Sequence, residues 1–281
     1  YNYRPFDNRF VIYNPKILQR ARREIMDNFL NDNLAITTPK NSKQDSFNEV
    51  FIADSFVDKH LIGHQTFVFP LYIYNPNKEF IFKGQKHLDV KGIQKELDEQ
   101  NRDKGSNIKD GLIKKLSDIY KKNVSPEEAF HYIYGVLFSN IYREKYNEFL
   151  KINFPQIPFT QNIELFYKIV NLAKELTSLH LLKSEKLNKL SAKFPVNTGD
   201  IMADGKVEKR EYNPKEKRIY INEKQYFEGV ELEVRNYYIG GYQVLDKWLK
   251  DRIGKTLSSG DVNHYLRVIT ALKYTIELQK E

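Results

Sequence analysis

The chain has 281 residues, of which 41% are apolar, enough to fill the core of one large domain or two small ones. It contains no cysteine, which excludes disulfides, thiol catalysis and cysteine-based zinc sites and fits a reducing cytoplasm. No apolar run approaches the roughly 20 residues of a membrane helix. The net charge of +8 permits binding to nucleic acid or an anionic surface without establishing it.

The first third of the chain combines strand patterns with one helix pattern. Residues 9–13, "RFVIY", predict a short strand, and Asn14 followed by Pro15 predicts the start of a helix. Apolar residues then recur at helical spacing and predict one buried face: Ile17, Leu18, Ala21, Ile25 and Phe29. Three further runs are β-branched and aromatic and predict strands: 34–38, 49–57 and 66–74. We therefore expect a mixed sheet with at least one helix.

The middle third predicts helices. Residues 83–110 carry few large apolar groups, so we expect an exposed excursion or connector there. Ser125, with Glu128 three positions later, is the start of a capping box. Further helices are predicted over 140–151 and 162–182. The side chains expected to face inward on the first of these two are Tyr142, Tyr146, Phe149 and Leu150.

The last third returns to strands and then ends in helices. "REYNPKEKRIYI" predicts a hairpin with Asn213 and Pro214 at its turn and with Ile219 and Ile221 on one face. After the pair of glycines at 240 and 241, a short helix places four residues on one stripe: Leu245, Trp248, Leu249 and Arg252. Gly254 suits the end of that helix. A last helix from 259 has its own stripe: Val262, Tyr265, Ile269, Leu272 and Ile276.

These elements predict an α+β fold, with a mixed β-sheet region followed by a helical subdomain and a C-terminal β-hairpin plus helices. The expected divisions of the chain are 1–84 for the mixed β/α part, 85–110 for the polar excursion or linker, 111–192 for the helical subdomain and 193–281 for the hairpin and C-terminal helices.

Catalytic motifs are absent from the sequence. There is no phosphate-binding GxxxxGK[ST], no GxGxxG and no Asn-Pro-Pro-aromatic tetrapeptide of the kind used for amino-group methylation. His60 and His64 lie four residues apart, but Gly63 between them argues against a helix that would present both to a metal. We expect a loop with two ordinary histidines, no metal site and no catalysis by this chain alone. An unrecognised nuclease site stays open as an alternative.

The opening of the chain is basic. Arg4, Arg9, Arg20 and Arg23 are candidates for contact with a polyanion. The alternative is an ordinary solvated helix face, in which Arg20 pairs with Glu24 and Arg23 with Asp27 at helical spacing. Asp7 is near enough in sequence to serve Arg4 or Arg9.

A polar segment, "TTPKNSKQ" at 37–44, follows a predicted strand directly. Its hydroxyl and amide side chains can donate to and accept from base edges, and its lysines can neutralise phosphate. The alternative is an ordinary polar loop. The candidates for readout of DNA bases are Thr37, Thr38, Lys40, Asn41, Lys43 and Gln44, with Lys59 and His60 as weaker candidates near the same end of the sheet.

Several blocks together resemble a known family. They occur in this order: "YRPFDNRFVIYNPKILQRAR", "FVFPLYIYN", "HYIYGVLFSNIYREKYNEFLKINFPQIPF", "YNPKEKRIYINEKQYFEGV", "YYIGGYQVLDKWLKDR" and "HYLRVITAL". As a set they resemble the C-terminal specificity region of type ISP restriction–modification enzymes. The resemblance is weak over 85–110 and 183–205.

The resemblance implies target recognition rather than catalysis. The parent enzyme would be a bacterial adenine-specific DNA methyltransferase with ATP-dependent restriction, carrying its nuclease, helicase-like ATPase and methyltransferase upstream of this region. S-adenosylmethionine, ATP and Mg would belong to those modules, and no cofactor is expected in this one. The implied partners are double-stranded DNA and the upstream methyltransferase domain, in the cytoplasm and without a membrane.

The resemblance gives no list of base contacts, so the candidate residues above depend on their chemistry. We assign packing roles to Trp248, Tyr242, Leu249, Ile133 and Leu137, and we expect the "IGGYQ" block to be structural. The glycines of that block would allow close approach of two backbones. A protein-interaction module, with Tyr-rich helices docked on a partner, stays open as the alternative function.

Overall fold

The chain begins with a short antiparallel hairpin instead of the predicted strand at 9–13. A computed structural model describes residues 1–14, 17–18, 21–74, 104–195 and 205–281. Strand β1 spans Asn2–Arg4 and β2 spans Asp7–Asn8, joined by a turn in which Phe6 has a φ of 60°. Residues 9–14 have no regular structure, and Phe10 and Ile12 are exposed without a partner strand. The strand predicted at 9–13 is therefore wrong.

The first helix is also much shorter than predicted. Helix α1 spans Arg23–Met26, and a 3₁₀ turn follows at Asp27–Phe29. Arg22, just before α1, has a left-handed φ of 48°, which breaks the helix that was expected to begin near Pro15. Ile17 is exposed instead of lying on a buried face. Four residues of the expected helix lie outside the described part: 15, 16, 19 and 20.

The strands predicted in the first third form a three-stranded antiparallel sheet. Strand β3 spans Ala35–Thr38, β4 Phe51–Ala53 and β5 Phe67–Pro70, in the order β4-β3-β5. Strand β6, Tyr72–Tyr74, pairs with β7, Lys104–Ser106, which lies within the predicted polar excursion. The rest of that excursion up to residue 103 lies outside the described residues.

The middle of the chain is helical, as predicted. Helix α2 spans Asp110–Tyr120, α3 Pro126–Phe138, α4 Asn140–Leu150 and α5 Ile163–His180, and a 3₁₀ turn spans Glu185–Asn188. The Ser125 hydroxyl accepts from the N–H of Glu128 at 3.2 Å, and the Glu128 carboxylate accepts from the N–H of Ser125 at 2.9 Å. This reciprocal pair is the predicted capping box and fixes the start of α3.

One side chain of α4 was assigned to the wrong face. Tyr142 and Leu150 are buried as predicted, whereas Phe149 is 70% exposed. Successive residues of a helix are rotated by about 100°, so the residue just before Leu150 points away from the face that Leu150 buries.

The C-terminal third follows its prediction closely. Strands β8, Glu211–Asn213, β9, Arg218–Tyr220, and β10, Tyr226–Glu228, form an antiparallel sheet in the order β10-β9-β8. Helix α6, Leu232–Arg235, precedes a small hairpin of β11, Tyr238–Ile239, and β12, Tyr242–Gln243. Helices α7, Val244–Lys250, and α8, Ser259–Leu278, complete the described chain. The combination of helices and small antiparallel sheets confirms the α+β class.

Two hydrophobic clusters share strand β4. Phe51 belongs to a cluster with the C-terminal strands and helices, and its neighbour Ile52 belongs to a cluster with α2–α5. Alternating side chains of a strand point to opposite faces, so β4 separates the two cores. The first third of the chain therefore contributes to both. The expected divisions at 84, 110 and 192 stay predictions, since 75–103 and 196–204 lie outside the described residues.

A fully buried histidine joins elements of the two clusters. His180 accepts a hydrogen bond from the Tyr134 hydroxyl at Nδ1, with 2.6 Å between the heavy atoms, and its Nε2 lies 3.0 Å from Thr275 Oγ1. The Thr275 hydroxyl donates to the carbonyl of Ala271, so it accepts from Nε2–H of a neutral imidazole. Burial, with a smaller contribution from the charge of Arg143, lowers the pKa of His180 to about 3.

Candidate nucleic-acid interface

The segment from Pro39 to Phe47, here called the polar loop, is anchored on helix α4. Ser42 and Phe47 are buried, and the N–H of Ser42 donates to the Leu150 carbonyl at 2.8 Å. The N–H of Phe47 donates to the side-chain oxygen of Asn147 at 3.2 Å. The end of α4 therefore anchors the polar loop at two places. Around these anchors, Lys40, Asn41 and Lys43 are exposed and Gln44 is partly exposed.

A buried carboxylate lies beneath the polar loop. The Glu49 side chain is 0% exposed, and one of its oxygens is 3.2 Å from Nδ1 of His64. Burial raises the pKa of Glu49, while the Ser42 hydroxyl, His64 and the N–H of Lys43 act in the opposite direction. Glu49 therefore places a carboxyl group between the polar loop and the segment that carries His64.

A glycine turn brings three segments together. The N–H of Gly240 donates to the Asn48 carbonyl, and the N–H of Gly241 donates to the Ile62 carbonyl, both at 3.0 Å. Gly240 has a φ of +58°, and a Cβ there would lie against the Ile62 carbonyl oxygen and 2.7 Å from its carbonyl carbon. The predicted close approach of backbones at "IGGYQ" is therefore confirmed, and it joins Asn48, the residue after the polar loop, to the turn at 58–66.

The turn at 58–66 presents two of the weaker candidates. Lys59 and His60 are exposed, and the N–H of His60 donates to the Asp58 carboxylate at 2.8 Å. The Tyr242 hydroxyl, next to the glycine turn, donates to the His60 carbonyl at 3.2 Å. A Cβ on Gly241 would lie 3.7 Å from Nε2 of Gln44. Gln44, Lys59 and His60 are therefore placed around the glycine turn, and both histidines of "KHLIGH" lie in a turn as predicted.

The predicted phosphate contacts of the basic opening have carboxylate partners. Arg4 is 2.8 Å from Asp58, and Arg23 is 3.1 Å from Asp27, the i,i+4 pair considered as the alternative. Arg20 lies outside the described residues. Because exposed pairs such as Arg23–Asp27 are weak, their guanidinium groups can exchange partners. Contact of these arginines with phosphate stays a prediction.

Arg9 belongs to a network around a buried carboxylate. Asp7 lies 3.0 Å from Arg9 and 3.1 Å from Arg252, and Arg9 is also 3.3 Å from Asp251. The guanidinium of Arg252 stacks 3.5 Å from the centre of the Trp248 ring. This network ties the β1–β2 hairpin to α7, so much of the positive charge at the start of the chain is already neutralised.

Two candidate readout residues must be corrected. Thr37 and Thr38 are 0% and 4% exposed, and the Thr37 hydroxyl donates to the Phe51 carbonyl at 2.8 Å. They lie in β3, at the centre of its sheet, instead of in the polar loop. We therefore remove both from the candidate DNA contacts, because side chains that are buried in the folded protein cannot reach a base.

The lysines at the candidate interface form no ion pairs, unlike many other lysines of the protein. Lys40, Lys43 and Lys59 take part in none of the ion pairs found among the described residues. Unneutralised lysines beside amide side chains provide the two chemistries that DNA readout combines, phosphate neutralisation and hydrogen bonding to base edges. Across the same described ranges, no group of three or more acidic and histidine side chains is arranged to hold a metal ion.

Sequence reasoning missed the supporting residues of this surface. Glu49 was treated as part of a strand, His64 as an ordinary histidine and Tyr242 as packing. The available signal for Glu49 was a single charged residue within the run from Phe47 to Ala53, since a carboxylate among buried apolar residues requires a partner.

The whole chain, residues 1–281, matches the family described as the Type ISP C-terminal specificity domain. The chain belongs to this family. The resemblance of the sequence blocks to the specificity region of these enzymes is therefore confirmed. No curated protein sequence is significantly similar to this specificity domain.

Solved structures with the same fold include three much longer chains. The specificity domain is 22% identical, with a TM-score of 0.71, to the ATP-dependent Type ISP restriction-modification enzyme LlaBIII bound to DNA. It is 20% identical, with a TM-score of 0.67, to a nuclease-deletion mutant of the Type ISP enzyme LlaGI in complex with a DNA substrate mimic. For DrdV in a DNA complex, the identity is 20% and the TM-score 0.73.

The alignments cover 99% of this chain in each case, but only 18%, 24% and 28% of the LlaBIII, LlaGI and DrdV chains. The specificity domain thus corresponds to a minor part of each enzyme. In the described ranges, no helix is both long and apolar enough to cross a membrane.

Proposed function

We propose that this specificity domain recognises a DNA target sequence and holds the duplex for an upstream adenine N6-methyltransferase domain of the same polypeptide. The observation that carries the proposal is the polar loop. Its lysines and amides project from a backbone fixed on α4, beside Lys59 and His60, and neither Lys40 nor Lys43 forms an ion pair among the described residues. The DNA present in the LlaBIII, LlaGI and DrdV structures supports the proposal.

The chemistry of adenine methylation explains why recognition and catalysis would be carried by separate domains. The amino nitrogen of adenine is not accessible inside a stacked duplex, so a methyltransferase must flip the base out. A separate domain that grips the flanking duplex supplies the positioning. The parent enzyme would be an adenine-specific DNA methyltransferase with ATP-dependent restriction. S-adenosylmethionine, ATP and Mg would bind its other domains, and the enzyme would act in the cytoplasm, where the DNA is.

Each exposed group of the polar loop has a distinct task in the proposal. Lys40 and Lys43 neutralise phosphates and set the position of the duplex, while Asn41 and Gln44 read base edges through paired donors and acceptors. Lys59 and His60 extend the surface across the glycine turn.

Salt dependence provides the first test. The 281-residue protein is titrated with a random-sequence duplex between about 50 and 200 mM salt, because each phosphate contact contributes a slope of about −0.9 in log K against log[salt]. The double substitution Lys40→Glu and Lys43→Glu should reduce the magnitude of the slope of log K against log[salt] by about 2. The matched control is Lys215→Glu with Lys224→Glu, two exposed lysines near the β8–β10 sheet that make the same change in net charge.

Selection from a pool of random duplexes provides the second test. The wild-type protein should enrich one short sequence, and Asn41→Ala should reduce that enrichment while leaving binding to unselected duplexes unchanged. A titration that is flat in salt, or equal losses in the Lys40/Lys43 and control variants, would contradict the proposed surface.

A further inference from the structure

We propose that Glu49 is a positioning residue, whose buried carboxylate, together with His64, holds the polar loop and the turn at 58–66 in the arrangement that reads DNA. The inference rests on the proposed function and adds a residue that touches no DNA itself. It also explains why a charged side chain is buried among the apolar residues just before strand β4.

The position of Glu49 is costly for the folded protein. Its side chain is 0% exposed, and carboxylates are rarely buried completely because removal from water costs several kcal/mol. Ser42, Lys43 and His64 approach the carboxylate, yet neither oxygen has a fully aligned hydrogen bond among the described residues. An apolar residue of similar size would avoid this cost. Stability alone therefore does not account for a glutamate here.

The groups around Glu49 all belong to the candidate interface. The Ser42 hydroxyl faces the carboxylate and also accepts from the N–H of Gln44 at 3.2 Å. The N–H of Lys43 is directed toward the same carboxylate, and it belongs to the peptide unit between Ser42 and Lys43. Since that peptide sets the direction of the flanking residues, Glu49 controls how Asn41 and Lys43 project outward.

The same carboxylate reaches the second half of the interface through His64. Nδ1 of His64 is 3.2 Å from Glu49, and the turn that carries His64 also presents Lys59 and His60. The distance between the polar loop and this turn is therefore fixed by one buried side chain as well as by the glycine turn. A loop held in one conformation before binding loses less conformational entropy on the DNA.

The test compares two substitutions of glutamate by glutamine. Glu49→Gln keeps the shape and removes the charge. Glu175→Gln is the matched control, because Glu175 also accepts from a serine hydroxyl, Ser184 at 2.8 Å, but lies on α5. Each variant is titrated with the duplex selected by the wild type and with a scrambled duplex, and backbone hydrogen exchange is followed by mass spectrometry.

For Glu49→Gln we expect the ratio of selected to scrambled affinity to fall about tenfold or more, the effect of losing one good base contact. Binding to the scrambled duplex should be unchanged, and exchange should accelerate only within 39–47 and 58–66, the two segments that contact Glu49. Glu175→Gln should change neither. A ratio within twofold of wild type, or accelerated exchange throughout the protein with equal losses on both duplexes, would overturn the proposal.

Ser42→Ala serves if Glu49→Gln does not fold, since it removes the hydroxyl on the other side of the same contact and should change the ratio in the same direction. If the wild type itself shows no sequence preference, the proposed function fails. The exchange measurement then still decides whether Glu49 holds the polar loop.

Discussion

Replacing Gly240 with alanine should destabilise the protein because two separate costs coincide there. The residue has a φ of +58°, and a left-handed conformation costs a residue with a Cβ about 1–2 kcal/mol. The added methyl would also lie 2.7 Å from the carbonyl carbon of Ile62, so backbone must move, at a further cost of about 1–3 kcal/mol. We expect Gly240→Ala to lower the free energy of unfolding by about 2–5 kcal/mol.

Gly254 provides the control for this prediction. It has a φ of +80°, but a Cβ there would meet nothing within 4 Å, so Gly254→Ala carries only the conformational cost. Urea unfolding of both variants, followed by tyrosine and tryptophan fluorescence, measures the difference. If Gly240→Ala were no more destabilising than Gly254→Ala, the close approach of the glycine turn to Ile62 would not be a feature of the folded protein.

Three further changes have effects that follow from buried polar groups. Asp7→Asn should lower stability to urea by about 2–3 kcal/mol, because two arginines would lose a buried carboxylate; an unchanged midpoint would rule out the network with Arg252. Neutral His180 has a folded pKa of about 3 against about 6.5 when unfolded. Its contribution to stability is full above pH 6.5 and is lost as the pH falls toward 3, about 2 kcal/mol of it between pH 7 and 5. Urea unfolding across that window should therefore depend less on pH in His180→Gln than in wild type, and parallel curves would refute this. Ser125→Ala should cost about 1 kcal/mol by loss of the capping box, measured by thermal unfolding against the same change at the exposed Ser46.

Prediction from sequence succeeded where local signals and burial agree. The capping box at Ser125, the apolar stripe of α8 and the hairpin turn at Asn213 each have a local cause that does not depend on distant residues. The α+β class followed from these elements, and the family followed from sequence blocks spread along the chain.

It failed where a distant contact decides the local conformation. Apolar residues at 9–17 suggested a strand and a helix, but their side chains find no core, and Arg22 in a left-handed conformation stops α1 from extending. Likewise, Thr37 and Thr38 had the right chemistry for readout, but they lie in strand β3 and are buried by the packing of the folded chain.

The candidate site was predicted in part for the same reason. Lys40, Asn41, Lys43 and Gln44 are adjacent in sequence, so a single polar segment identified them together. Their connection to Lys59 and His60 runs through Ile62, Gly241 and Tyr242. Gly241 and Tyr242 lie about two hundred positions later in the chain than the polar loop. No spacing rule in one sequence can reveal such an encounter.

The polar loop separates the residues that hold it from those that it displays. Ser42 and Phe47 face inward, while the side chains of Lys40, Asn41 and Lys43 are exposed to solvent. Under the proposed function, changes at Asn41 would alter the preferred DNA sequence and changes at Lys40 or Lys43 would alter affinity, while the buried contacts that hold the polar loop stay intact. Target preference would then diverge by single substitutions at exposed positions of one loop, and the codons for Asn41 and Gln44 would be the ones to randomise in a search for new specificities.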